Sequence, residues 1–255
     1  MDRDSELLIE QVHSKLLPRR GIWADRDEIL ITVGAQNALY LSAQLLLDAG
    51  DIIGMENPGY VDARNTFLTQ TQNIRLLDID HDGLLVDERL EGCRCVYTTP
   101  SHQYPTTHTM SKERRRDLLE QANRHNIIII EDDYESEFNY GTEPIPALKS
   151  LDSEGRVIYV GSLSKTLAPG IRLGYMVAPR EFVRQAKALR RIMLRHPPSN
   201  NQFIIAQFLK RGYHDALIRR ISHTLYHRSK LMKSLLDELL PGATQKPDFG
   251  GSSFW

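Results

Sequence analysis

The chain has 255 residues, 41% of them hydrophobic and 25% charged, with a formal net charge of -1. That composition is ordinary for a globular protein and sufficient for one large α/β domain; nothing in the overall charge argues for nucleic acid or an anionic membrane. No apolar run reaches the ~20 residues that span a bilayer. MDRDSELLIEQ also lacks the basic-then-apolar start of a secretory signal, so the cytoplasm is the expected compartment and no membrane partner is expected.

Residues 5–17 show helical apolar spacing. EILITV (28–33) predicts a strand, and GAQNALYLSAQLLLDAG (34–50) a helix ending at a glycine. IIGMEN (52–57) predicts a strand broken by Pro58 and Gly59, followed by a helix through Phe67. IRLLDID (74–80) predicts a strand, HDG a turn and LLVDERL (84–90) a short helix. RCVYTTP (94–100) is a strand, and SKERRRDLLEQANRHN (111–126) a helix opened by a serine cap. IIIIEDD (127–133) is apolar on both faces and therefore a central strand. VIYVGS (157–162) and LGYMVAP (173–179) predict two more buried strands. Residues 180–196, 200–212 and 213–240 predict three helices; the basic run RRISHTLYHR in the last reads as the solvated face of a long helix. Cys93 and Cys95, two apart in a strand, are expected on one face as buried thiols, neither a disulfide nor a metal pair. The alternation of strands and helices predicts an α/β fold: a mostly parallel central sheet flanked by helices, with right-handed crossovers. Ligands in such sheets sit at the carboxyl ends of strands.

Four loops at those ends carry polar residues. Gly34-Ala35-Gln36 follows a strand and opens a helix, where backbone amides and the helix dipole suit a phosphate. The dinucleotide GxGxxG pattern and the Walker lysine motif are absent. Ser101-His102-Gln103-Tyr104-Pro105 follows RCVYTTP, with a proline placed for a cis bond and a tight turn. Glu131-Asp132-Asp133-Tyr134 ends a buried strand, and three acids there need cations, a protonated nitrogen or backbone amides as partners. The fourth loop, between VIYVGS and LGYMVAP, holds Ser162, Ser164, Lys165 and Arg172. A lysine desolvated there beside an arginine would have a lowered pKa and act as a nucleophilic amine toward an aldehyde. Arg172 offers a planar fork for a phosphate, with Ser162 and Ser164 as hydroxyl donors. A phosphate cradle, an imine-forming lysine and an acid for a pyridine nitrogen are together what pyridoxal 5′-phosphate (PLP) asks for.

Over roughly residues 20–255, TVGAQNAL, ENPGY, TTPSHQYPTTHTMSKERRRDLL, IIEDDYESEF and YVGSLSKTLAPGIRLGY occur in that order. In these motifs the chain resembles fold-type I PLP enzymes, the class I/II aminotransferases. It resembles more narrowly the aminotransferase-like domain of MocR/GabR-type (GntR family) transcription regulators. The resemblance implies that Lys165 forms a Schiff base with PLP and, in a transaminase, moves the proton between Cα and C4′. It implies that Asp132, rather than Asp133, pairs with the pyridinium nitrogen, and that Tyr134 bonds the ring's phenolic oxygen. Ala35, Gln36, Ser162 and Arg172 would hold the phosphate, and Tyr60 would stack on the ring. Tyr104 stands where ordinary aminotransferases carry the asparagine of an Asn-Pro pair, and His102 and Gln103 would lie near the cofactor edge.

The family's PSHQYPTG reads PSHQYPTT here; the β-branched Thr107 resists positive φ, so an altered turn is expected. By comparison with the family, the chain is expected to be a piece cut at both ends. It would comprise a helix and lead-in strand (1–33), the PLP-binding core of the large domain (34–198), and helices (199–255) leading to a small domain largely missing after GGSSFW. A helix-turn-helix is absent, so this chain alone is expected to bind no nucleic acid. A homodimer and a small amine or amino acid ligand are the expected partners. Three readings stay open: the effector domain of a regulator, a catalytic aminotransferase, and an inactive fragment.

Overall fold

A computed structural model describes residues 4–138, 145–242 and 253–255. The Gly-Gly pair of GGSSFW, expected to open a small domain, lies outside the described residues. Eight strands form one sheet: β1 (Ile29–Thr32), β2 (Ile52–Asn57), β3 (Ile74–Asp80), β4 (Gly83–Leu84), β5 (Cys93–Thr98), β6 (Ile128–Asp133), β7 (Val157–Ser162) and β8 (Gly174–Val177). Their order is β1-β8-β7-β6-β5-β2-β3-β4. The four central pairings, β7/β6, β6/β5, β5/β2 and β2/β3, are parallel, as expected. The pairs at both margins are antiparallel. The segment between β7 and β8 carries only a 3-10 turn at Pro169–Ile171, too little for a parallel crossover, so β8 returns as a hairpin arm. Pairing of Ser162 and of Thr32 with Gly174 brings the ends of β7 and β1 to the same edge as the start of β8.

Among the described residues are seven α-helices: α1 (Glu6–Gln11), α2 (Gly34–Leu46), α3 (Val61–Phe67), α4 (Lys112–His125), α5 (Arg180–Leu194), α6 (Ser199–Lys210) and α7 (Tyr213–Leu239), the last of which packs on α6. The first expected helix keeps α-geometry only through Gln11, then widens over Val12–Leu16 and tightens over Leu17–Arg20. LLVDERL forms no α-helix; Leu84 is buried on the sheet margin and Asp87 caps a 3-10 turn at Glu88–Leu90. α4 begins as expected, with Ser111 Oγ accepting from the Arg114 amide, and ends at Asn126 in the left-handed region, φ 57°.

Strand alternation divides the core. On one face Met55, Ile130, Ile158, Val160 and Met176 pack with residues of α2, α3 and α5. On the other, Ile129 and Val157 pack with α4, and Tyr159 and Val177 with α1 and α6. The two cysteines are buried free thiols, but not on one face. A register shift between Ile52 and Ile53 along the β2/β5 pair sends Cys95 to the first face and Cys93 to the second. α7 has His214 as its one buried residue among those described, so RRISHTLYHR stands at the surface.

Candidate functional site

A cavity of about 280 Å³ lies at the carboxyl edge of the sheet, on the α2 face. Ten of the predicted site residues line it: Ala35, Gln36, Tyr60, Tyr104, Asp132, Tyr134, Ser162, Ser164, Lys165 and Arg172. His102, the eleventh, does not; it is 1% exposed and buried in the loop after β5. Gln103 is also absent from the lining, since its amide donates to the backbone oxygens of Pro58 at 2.8 Å and Tyr104 at 2.6 Å.

The anion side is built by β1, α2 and the β7–β8 loop. Gly34 sits at φ +72° as the chain turns into α2, whose N-terminus no side chain caps. Arg172, itself at φ 49°, lays its guanidinium over this turn: a Cβ added to Gly34 would sit 3.4 Å from Nη2. Gly174 permits the approach from beneath, because a Cβ there would meet Gly34 C at 2.8 Å and Ala35 N at 3.1 Å. Arg172 forms no ion pair among the described residues. Uncapped amides under an unpaired guanidinium fit a phosphate. Ser164 braces the loop, its hydroxyl accepting from Leu173 N at 3.1 Å and donating to Leu173 O at 3.2 Å. The Gln36 amide is committed to α3, donating to Thr66 Oγ1 and to Asp62 O at 3.3 Å.

The acid side follows from the period of two along β6. Asp132 continues the face of Ile130 and enters the cavity, while Glu131 and Asp133 point to the opposite face. Asp133 accepts from Arg20 Nε and Tyr159 Oη, each at 2.7 Å. Burial raises its carboxyl, but Arg20 and the bonding hydroxyls outweigh that and hold it below the usual range. Glu131 caps the backbone amides of Leu148 and Lys149, at 2.7 and 2.8 Å; burial, then Asp133, pushes it up to about 7. Asp132 has one bond, from Tyr97 Oη at 2.9 Å, and its Oδ1 has no hydrogen-bond partner among the described residues. Burial pushes its carboxyl up to about 7, against the Tyr97 bond. An orphaned, buried carboxylate oxygen at the cavity wall suits a protonated nitrogen.

Lys165 is not desolvated as expected: its side chain is 48% exposed, and Nζ lies 3.4 Å from Oε1 of the buried Glu135. Nζ also stands 5.5 Å from the centroid of the Tyr134 ring. Tyr60, Tyr104 and Tyr134 form an aromatic wall, with centroids 5.4 and 6.3 Å apart at steep angles. Burial pushes the Tyr60 hydroxyl up to about 12, and that of Tyr134 higher. Thr107, the β-branched residue expected to resist positive φ, takes φ 64°, its amide donating to Gln103 O at 2.6 Å. Both the Asn57–Pro58 and Tyr104–Pro105 bonds are cis.

Sequence reasoning passed over Tyr97, Glu135 and Glu56. Glu56, buried at the end of β2, accepts from Thr98 and Thr99 hydroxyls at 2.5 and 2.7 Å and from the Thr99 amide at 3.1 Å, clamping β2 to β5. The alternation of β5 was the available signal for Tyr97, which shares the Asp132 face.

Fold and site together define a fold-type I aminotransferase architecture. The chain belongs to the aminotransferase class I and II family, whose model matches residues 4–244. Among curated relatives, it is 44% identical over its full length to the HTH-type transcriptional regulator TauR of Rhodobacter capsulatus, covering 52% of that protein. It is 36% identical over 85% of its length to the probable rhizopine catabolism regulatory protein MocR of Rhizobium meliloti, covering 44% of it. The chain thus spans about half the length of these relatives. Among solved structures, kynurenine aminotransferase of Pyrococcus horikoshii, in complex with PMP, superposes with a TM-score of 0.90 at 31% identity, covering 98% of this chain and 65% of that one. Among the described residues, no helix is long and apolar enough to cross a membrane.

Proposed function

We propose that this chain is the PLP-binding, aminotransferase-like effector domain of a MocR-type regulator, holding the cofactor covalently through Lys165 and sensing a small amine or amino acid. The observation that carries the cofactor reading is convergence: Arg172 over the α2 N-terminus, the orphaned Oδ1 of Asp132 and Lys165 Nζ belong to one cavity. When bound, PLP supplies an electrophilic aldehyde and an electron-withdrawing ring. Arg172, Ser162 and the amides of Ala35 and Gln36 bind the phosphate. Asp132 holds a proton on the ring nitrogen, Tyr134 donates to the phenolic oxygen, and Tyr60 covers the ring face. Lys165 supplies the amine that the aldehyde takes, with Glu135 holding Nζ while the site is free. The regulator half of the proposal rests on the two curated relatives, both regulatory proteins by name.

A second reading, a catalytic aminotransferase, is favoured by the superposition on kynurenine aminotransferase. In that reading Lys165 would be the acid–base group for the substrate proton. A homodimer in the cytoplasm belongs to either reading; exposed Ile192, Phe203 and Ile204 on α5 and α6 support an assembled state.

The test is a visible absorption spectrum with added PLP, for the wild type and Lys165→Ala. A band present in the first and absent in the second supports the cofactor reading; no band from a folded wild type overturns it and leaves the third reading, an inactive fragment. Amino acids are then added one by one. Spectral change without release of a keto acid supports sensing, and stoichiometric keto acid supports catalysis.

A further inference from the structure

Tyr97 is the next-to-last residue of β5 and 1% exposed. Its ring packs on Phe67 of α3, centroids 5.7 Å apart, and cannot swing. Its hydroxyl therefore stands at a fixed point and donates to Asp132 Oδ2 at 2.9 Å. The other carboxylate oxygen, Oδ1, is buried at the cavity without a partner among the described residues. A carboxylate pinned at one oxygen by a rigid donor has its plane and rotamer set, with the second oxygen left to a ligand. A phenylalanine would fill the same core volume, so packing does not account for the hydroxyl.

We propose that Tyr97 is a positioning residue that aims Asp132 Oδ1 at the ring nitrogen of the cofactor; the proposal rests on the PLP reading above. Burial is the largest influence raising the Asp132 carboxyl, and the Tyr97 bond is the largest opposing it. The remaining charges acting on it are Asp133 and Glu56, which raise it, and Lys165, which lowers it. Asp133 is on the far face and Glu56 belongs to the β2–β5 clamp, so neither can set the direction of Oδ1.

The experiment measures the dissociation constants of PLP and of its 1-deaza analogue, in which CH replaces the ring nitrogen. The proteins are the wild type, Tyr97→Phe, Asp132→Asn and the double variant. The wild type should prefer PLP to the analogue by at least about tenfold. Tyr97→Phe should weaken PLP by about tenfold, the size of one hydrogen bond to a charged group, and leave the analogue unchanged. Added to Asp132→Asn, it should cost PLP nothing further. Equal weakening of both ligands, or unchanged PLP affinity, overturns the assignment of Tyr97 while the cofactor reading stands. Equal wild-type affinity for the two ligands also overturns it, and needs no variant to fold. A folded wild type that binds neither ligand overturns the cofactor reading and this assignment with it.

Discussion

Replacing Asp132 by asparagine should stabilise the ligand-free protein above neutral pH while weakening its hold on PLP. Burial pushes the Asp132 carboxyl from 3.8 up to about 7, and the repulsion of Asp133 and Glu56 adds to it. An acid raised on folding binds more protons in the native than in the unfolded state. Its contribution is therefore fully present below pH 3.8 and is lost as pH rises through about 7. Above that, the native protein carries a desolvated charge that costs up to about 4 kcal/mol, at 1.36 kcal/mol per pH unit. Asparagine has the same shape and no charge. Urea unfolding followed by circular dichroism at pH 5 to 8 should show Asp132→Asn gaining about 2–4 kcal/mol over wild type at pH 8. The gain should shrink by about 1.36 kcal/mol per pH unit below about 7, leaving roughly 1–2 kcal/mol at pH 5 and vanishing only near pH 3.8. Glu131 and Glu137, also pushed up to about 7 by burial, titrate in both proteins and cancel in the difference. A difference independent of pH, or a wild type more stable at pH 8, would refute the reasoning.

Gly174→Ala should cost about 1–3 kcal/mol in a thermal melt, because its Cβ would lie 2.8 Å from Gly161 O and Gly34 C. The same variant should bind PLP more weakly in equilibrium dialysis, since relief of that clash displaces the α2 N-terminus. Thr107→Gly should raise stability by about 0.5–1 kcal/mol in urea, because φ 64° strains a β-branched residue more than glycine's added chain entropy costs. Arg20→Met should lose about 3–5 kcal/mol at pH 7 by leaving Asp133 buried and unpaired. The Asp133 carboxyl is held below 3.8, so the stability it contributes is present above that pH and lost in acid. The cost of Arg20→Met, read from urea unfolding, should accordingly shrink as pH falls.

Long periodic segments were legible in the sequence because the burial that stabilises them is written in their spacing. β6, with an apolar residue at each of Ile127–Ile130, lies between two strands as expected. Features decided by tertiary pairing were not legible. The spacing of two that put Cys93 and Cys95 on one face holds only without a register shift, and the β2/β5 pair has one. A segment such as LLVDERL can satisfy its apolar residues by a 3-10 turn against a sheet margin as readily as by a helix. Of the site, residues in polar loops stood out because they had no packing purpose. Tyr97 and Glu135 did not, since an aromatic in a strand and an acid in an acidic run each look ordinary until their partners are known.

The run Glu131-Asp132-Asp133 shows how a chemical site is separated from its scaffold by geometry alone. Three acids in sequence repel one another, and a parallel strand buried on both faces gives none of them water. Alternation sends two to the reverse face, where the structure answers each in kind: two backbone amides for Glu131, a guanidinium and a tyrosine hydroxyl for Asp133. These compensations come from elements remote in sequence, Arg20 before β1 and the turn at Leu148, so they also lock β6 in register. A slip of one residue would exchange the compensated acids for the uncompensated one and bury two charges unpaired. Asp132 and Asp133 each keep one oxygen without a partner among the described residues, but that of Asp133 lies on the reverse face beside Arg20, whereas that of Asp132 belongs to the cavity that also presents Lys165 and Arg172. The instability concentrated there is local, oriented and removable by a cation of the right shape, which is what a binding site requires of its scaffold.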